Sequence, residues 1–163
     1  MPNRRCGFTV IEMLVVFAVI AILSAIAMPS LQGRIVRKQI DAALPLAELA
    51  KKPIAAAWLT TQILPADNAS AGVPAADKIV NNFVSALTVE NGAIQITFGN
   101  RAHSAIEGKI LSLRPAVMSD EPTVPITWVC GKAEGPNKMT IIGVDKTNVP
   151  ATYLPLDCRK IKP

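Results

Sequence analysis

An apolar run from Phe8 to Met28, broken only by Thr9, Glu12 and Ser24, does most to limit what this chain can become. As a helix it is roughly 31 Å long at about 1.5 Å per residue, enough to cross a hydrocarbon core of about 30 Å. A helix of a soluble core would carry a polar face, and this run has none. It reads as a single-pass, membrane-inserted helix. Glu12 is out of place in it. A carboxylate costs on the order of 2.5–3.5 kcal/mol at the centre of such a helix and less near the interface. An ionisable residue there marks function by default, and its expected partner is a cation inside a protein assembly. The plainer alternative leaves Glu12 among the lipid headgroups, paired with nothing.

Gly7-Phe8-Thr9-Val10-Ile11-Glu12, after a short basic leader and before the apolar run, resembles the N-terminus of type IV prepilins with a class III leader, and of their secretion-system relatives. The resemblance implies that a prepilin peptidase removes residues 1–7 by cutting after Gly7 and methylates the new amine of Phe8. Glu12 is then the fifth mature residue, as in that family. The physics agrees with such processing. Arg4 and Arg5 would burden a helix bound for an apolar fibre core. Cleavage creates an α-amine, protonated below a pKa of about 7.7–8.0. A buried Glu12 could pair with the Phe8 amine of a neighbouring subunit, offsetting two desolvation penalties and setting the axial register. Phe8 and Glu12 also stand four residues apart on one helix, so an internal pair is the alternative.

A competing cleavage has to be weighed. Ala25-Ile26-Ala27 has the small-x-small form of an ordinary secretory site, which would remove the whole helix. The run exceeds the usual 7–15 apolar residues of a secretory signal, and Glu12 lies inside it. The intact mass of the mature protein separates the two.

The resemblance also resolves the cysteine count. Of three cysteines, Cys6 departs with the leader and Cys130 and Cys158 remain. One pair in an exported domain reads as a disulfide. Basic residues flank both ends of the apolar run, Arg4 and Arg5 on one side and Arg34, Arg37 and Lys38 on the other, so their bias does not set topology. The expected disulfide and the family resemblance place the bulk of the chain outside. The net charge of +5 is mild and draws nucleic acid only weakly.

Past the run, Pro29 falls where pilins often carry a proline at which the helix can kink or melt on assembly, and we assign it an assembly role. Val36, Ile40, Ala43, Ala47, Ala50, Ile54 and Trp58 then recur at spacings of three and four, a stripe that should face a sheet. Lys38, Asp41, Glu48 and Lys51 fall on the wet side. Gly33, Pro45 and Pro53 predict bends or an end near Pro53, with the helix continuing to about Trp58. Residues 61–76 read as a loop, in which Asn68-Ala69-Ser70 matches a glycosylation triplet. From Phe83 the period becomes two. Asn91-Gly92 between strand formers is the strongest short hairpin signal. Ile94, Ile96 and Phe98 share one face and Gln95 and Thr97 the other. A third strand starts near Lys109, and Ile126–Cys130 is a fourth. The class is α+β: one long N-terminal helix on a four-stranded antiparallel sheet.

A second resemblance closes the chain. Trp128-Val129-Cys130 and Tyr153-Leu154-Pro155-Leu156-Asp157-Cys158-Arg159 resemble the disulfide-bounded end of type IVa pilins. That implies a Cys130–Cys158 bond, worth roughly 3–4 kcal/mol for a loop of about 29 residues. The stretch between the cysteines, with Gly135-Pro136-Asn137 and Thr147-Asn148-Val149-Pro150, matches no motif. The expected organisation is leader 1–7, membrane and fibre-core helix 8–28, amphipathic half-helix 29–60 and globular head 61–163, with 130–158 bounded by the disulfide.

No catalytic constellation, cofactor motif or metal set is visible, so the chain reads as no enzyme. His103 reads as a loop residue, and Arg159, Lys160 and Lys162 as a solvated basic tail. The resemblance implies a structural pilus subunit that polymerises with copies of itself. It would pass from the inner membrane, through the peptidase and the pilus assembly machinery, to an extracellular filament for adhesion, twitching motility or DNA uptake. The alternatives are a minor pilin or secretion pseudopilin, and a membrane-anchored DNA-binding receptor pilin. The Tyr-Leu-Pro end and the lack of an Asp-rich calcium loop favour the first reading over the pseudopilin. Aromatics at 4% disfavour the DNA receptor.

Overall fold

The computed structural model describes residues 7–160, and for residues 27–31 the backbone only. Arg4, Arg5, Cys6, Lys162 and the side chain of Pro29 therefore lie outside the described residues. The chain divides into two compact units, Met1–Ile35 and Val36–Pro163. One helix, α1, runs Val10–Thr61 and contributes to both.

Among the described residues of the first unit α1 buries no side chain. Every described side chain from Phe8 to Ile26 is exposed, including the large apolar ones. Among the described residues no helix is long and apolar enough to cross a membrane. The apolar run itself continues to Met28, past Ile26, the last residue before the side chains that are not described.

In the second unit α1 supplies the stripe that the spacing predicts. Val36, Ile40, Ala43, Ala47, Ala50 and Ile54 are fully buried, and Trp58 nearly so. Three alanines in that stripe bring the helix axis close to the sheet, whose inner face offers Val84, Leu87, Val89, Ile94, Ile96, Phe98, Leu111 and Leu113. Each large aliphatic or aromatic side chain so buried stabilises the fold by about 1.5–3 kcal/mol. Pro45 and Pro53 do not end the helix. Both lie off the fully buried stripe, so the lost backbone bonds do not open the core. The end comes instead at Gln62, whose φ of 56° lets its N–H reach the Trp58 carbonyl at 2.9 Å, a left-handed cap. Lys51 departs from the expected wet side. It is half-buried, bonded to Glu48 at 2.7 Å and placed 5.8 Å from the centre of the Trp128 ring.

The sheet is an antiparallel meander, β1 (Val84–Glu90), β2 (Ala93–Phe98), β3 (Ile110–Val117) and β4 (Thr127–Cys130), in that spatial order. Asn91-Gly92 makes the first turn, with Glu90 opposite Ala93 and positive φ at both turn residues, 47° and 80°. That backbone is the mirror-image turn matched to strand twist. A short fifth strand, β5 (Thr140–Ile141), was not foreseen. Ala116 of β3 pairs with Thr127 of β4 and with Ile141 of β5, so β5 lies on the β2 edge of β3.

From β5 the chain crosses the outer face of the sheet to the opposite edge of β3. Gln95 donates to the Val144 carbonyl at 3.0 Å, and the Ser112 hydroxyl donates to Gln95 Oε1 at 2.5 Å. The backbone N–H of Lys146 donates to Ser112 Oγ at 2.8 Å, and Asn148 Oδ1 accepts from the Ile110 N–H at 2.6 Å. Gln95, on the face opposite Ile94, is therefore buried under this strap, as is Ser112, and Thr147 within the strap is buried as well. The Cys130–Cys158 disulfide ties β4 to the 3-10 turn Leu156–Cys158, with Cα atoms 4.5 Å apart.

The loop before the sheet is held by Asn68. Its Oδ1 accepts from the Val89 N–H at 2.7 Å, and its Nδ2 donates to the Leu87 and Pro74 carbonyls at 3.0 and 2.8 Å. The amide is buried and fully engaged, so the glycosylation triplet is a structural element here.

Two substitutions test these contacts. Gly143 has φ +92° and approaches β2 so closely that an added Cβ would meet the Ala93 Cβ at 2.6 Å. Gly143→Ala should lower stability by about 1–3 kcal/mol, seen as a reduced urea midpoint with unchanged slope. Cys158→Ala should lower it by roughly 3–4 kcal/mol. A non-reducing mass spectrum of the parent should show neither Cys130 nor Cys158 as a free thiol.

Candidate assembly and processing site

The start of α1 is set by Thr9 and Glu12. The Thr9 hydroxyl accepts from the Glu12 N–H at 3.3 Å, and Glu12 Oε2 accepts from the Thr9 N–H at 3.4 Å. This reciprocal pair is a capping box, with Thr9 as the N-cap. It satisfies two backbone donors that a helix start leaves open, and the negative carboxylate complements the positive end of the helix. Sequence reasoning gave Thr9 no role, although Thr-x-x-Glu ahead of an apolar run is the known signature of this cap. In the uncleaved chain the Glu12 carboxylate is thus satisfied within its own helix, and it is exposed.

Gly7 and Phe8 precede the helix and are both exposed, Phe8 at 74%. Among the described residues a Cβ built on Gly7 would meet nothing within 4 Å. The described part of the fold therefore sets no requirement for glycine at this position. Phe8 and Glu12 fall at the same end of the helix. α1 is assigned without a break across position 29.

The remaining candidates are structural. His103 Nδ1 accepts from the Ala105 N–H at 3.1 Å, and its backbone N–H donates to Gln39 Oε1 at 2.8 Å, joining the β2–β3 loop to α1. Among the described residues no group of three or more His, Cys, Asp or Glu side chains could hold a metal ion. The supposed solvated tail is ordered at Arg159, which is half-buried and donates to the Leu154 and Thr152 carbonyls at 2.8 and 3.2 Å. Asp67 turns the loop after α1. Its carboxyl lies below the usual carboxylate range because the Ser70 backbone N–H, at 2.7 Å, favours the ionised form.

Comparison with known proteins fits this geometry at both ends. Residues 36–159 match the pilin (bacterial filament) family, and residues 2–28 match the prokaryotic N-terminal methylation motif. The chain is 33% identical to the type IV major pilin protein PilE of Neisseria gonorrhoeae over 98% of its own length and 96% of that protein's. It is 30% identical to a fimbrial protein of Neisseria meningitidis serogroup B, with the same coverage. Identity to the fimbrial protein EcpC of Eikenella corrodens is 32%, over 94% of this chain and 90% of that one. Relatives named as major pilins and fimbrial proteins do not favour the minor-pilin alternative. The motif at Gly7–Glu12, the helix-on-meander head and the disulfide-bounded C-terminus thus converge: the chain belongs to the type IV pilin family, structural subunits of bacterial filaments and not enzymes.

Proposed function

We propose that the chain is made as a single-pass inner-membrane precursor held by Phe8–Met28, cut between Gly7 and Phe8, methylated on the Phe8 amine, and then packed into an extracellular pilus through the same helix. The observation that carries this reading is the exposure of the helix. Val10 is 80% exposed, Ile11 71%, Leu14 62% and Leu23 61%, a surface far too apolar to face water. Lipid covers it first and the helices of neighbouring copies afterwards.

Processing fits the local chemistry. Among the described residues a Cβ on Gly7 would meet nothing within 4 Å, which leaves the demand for a small residue to the peptidase. Removing residues 1–7 takes away Arg4 and Arg5 and leaves a cationic amine on Phe8. Methylation keeps that charge and adds apolar surface. The capping box occupies Glu12 in the precursor. In the filament the carboxylate pairs with the Phe8 amine of a neighbour, because two charges entering an apolar core must be matched. Pro29 gives the helix a place to bend or open as copies pack.

Two variants separate the steps. Gly7→Val should accumulate uncleaved precursor in the membrane fraction, and normal-sized mature protein from that variant would refute the cut site. Glu12→Val should still insert and still be cleaved, since Gly7 is intact and the carboxylate penalty is gone. Polymerisation should fail, at a cost of about 3–5 kcal/mol per subunit for a buried amine left alone. Membrane-bound mature protein and sheared filaments measured in the same cells check it. Wild-type shedding by Glu12→Val cells would reduce Glu12 to an interfacial residue.

A further inference from the structure

The carbonyl oxygen of Thr152 accepts from two guanidinium groups. Arg37, on α1, donates from Nη2 at 2.8 Å, and Arg159, just past the disulfide, donates from Nη2 at 3.2 Å. Sharing one oxygen holds the two Nη2 atoms within about 6 Å of each other, and both charges are permanent. Arg159 is fixed further by Nε on the Leu154 carbonyl at 2.8 Å. Among the described residues neither arginine pairs with a carboxylate. A single neutral carbonyl does not balance two cations held together, and a guanidinium carries five N–H donors, most of which these contacts leave unspent. Two forks of donors held this close suit an anion with several oxygens.

The surroundings narrow its source. Leu156, 76% exposed, lines a shallow pocket with Asp157, Arg159 and Lys160. Asp157 is the one carboxylate in that lining, and Glu134 reaches Lys160 only at 4.0 Å. An exposed apolar side chain beside clustered cations is what binding to an anionic bilayer surface uses. In sequence, Arg34, Arg37 and Lys38 follow closely on Met28, the last apolar residue of the run, and cations just outside a membrane segment attract anionic headgroups. A nucleic-acid strand would call for aromatic side chains among the basic ones, and the pocket lining holds none.

We infer that Arg37 and Arg159 form a phosphodiester site that takes the headgroup of an anionic membrane lipid while the chain waits in the membrane. The inference rests on the membrane-inserted precursor proposed above. Binding holds the C-terminal turn Thr152–Lys160 at the bilayer, and extraction of the helix into a filament releases it.

The test reconstitutes the full chain, with arginine labelled by 15N, in nanodiscs of phosphatidylcholine carrying a rising share of phosphatidylglycerol. The Nε–Hε resonances of Arg37 and Arg159 should shift and saturate. Arg37→Gln should raise the phosphatidylglycerol share needed for half-saturation at Arg159 at least threefold, Arg37→Lys should raise it less, and Lys52→Gln should leave it unchanged. A chain that enters the discs but shows no phosphatidylglycerol dependence, or no effect of Arg37→Gln, overturns the lipid site and leaves the membrane reading intact. The same shift from inorganic phosphate added to pure phosphatidylcholine discs overturns it in favour of a free-phosphate site. A stronger shift from an oligonucleotide overturns it in favour of nucleic acid. A chain absent from the disc fraction removes the membrane reading and this site with it.

Discussion

A single helix has to satisfy two environments, and the contact between Val36–Trp58 of α1 and the inner face of the sheet makes this workable. The buried stripe fixes the second half of α1 to a folded head, so the head needs no help from the first half to have a core. The first half is then free to carry apolar side chains on every side, which no self-contained helix of a monomer could do. The alanines at 43, 47 and 50 matter more than their size suggests. They let the backbone approach the sheet closely enough for the aliphatic residues of β1, β2 and β3 to close over the stripe.

Where the sequence carries a period, it was enough to read the structure. The three-and-four spacing from Val36 to Trp58 names the buried residues of the helix one by one, because each is a side chain whose burial alone explains it. Asn91-Gly92 fixes a two-residue turn, and that turn sets the register of β1 on β2. The Gly7–Glu12 motif and the two cysteines were legible as chemistry, and family membership followed from them. The expected continuation of the helix to about Trp58 holds, and the alternative of an end near Pro53 does not, because a helix packed along one side tolerates a missing bond on another flank. The Thr9 cap was legible in the Thr-x-x-Glu spacing, in which Glu12 is a hydrogen-bond acceptor as well as a charge.

The strap over the outer face was not legible, for a physical reason. β5 has two residues and therefore no period. The strap is held by Gln95, Ser112 and Asn148, through bonds between residues 34 to 49 positions apart. Such bonds depend on two distant segments meeting at hydrogen-bond distance, which no local pattern encodes. The pairing of Arg37 with Arg159 on the Thr152 carbonyl was hidden in the same way, and a tail that looked merely charged proved to be anchored. Side-chain amides and hydroxyls help hold the segment between the cysteines, with a Lys146–Glu90 ion pair at its margin.

Asn68 bears on how a subunit avoids the wrong polymer. β1 is an edge strand, and an edge strand offers a row of open donors and acceptors on which another chain can add a strand. In a filament, identical heads sit side by side at very high local concentration, the condition under which such edges fuse into continuous sheets. The Asn68 amide occupies the Leu87 carbonyl and the Val89 N–H, the two groups at the middle of that edge, and so stands in for the strand that would otherwise dock there. The side chain of one residue thereby closes the middle of β1 against the edge-to-edge pairing that builds continuous sheets.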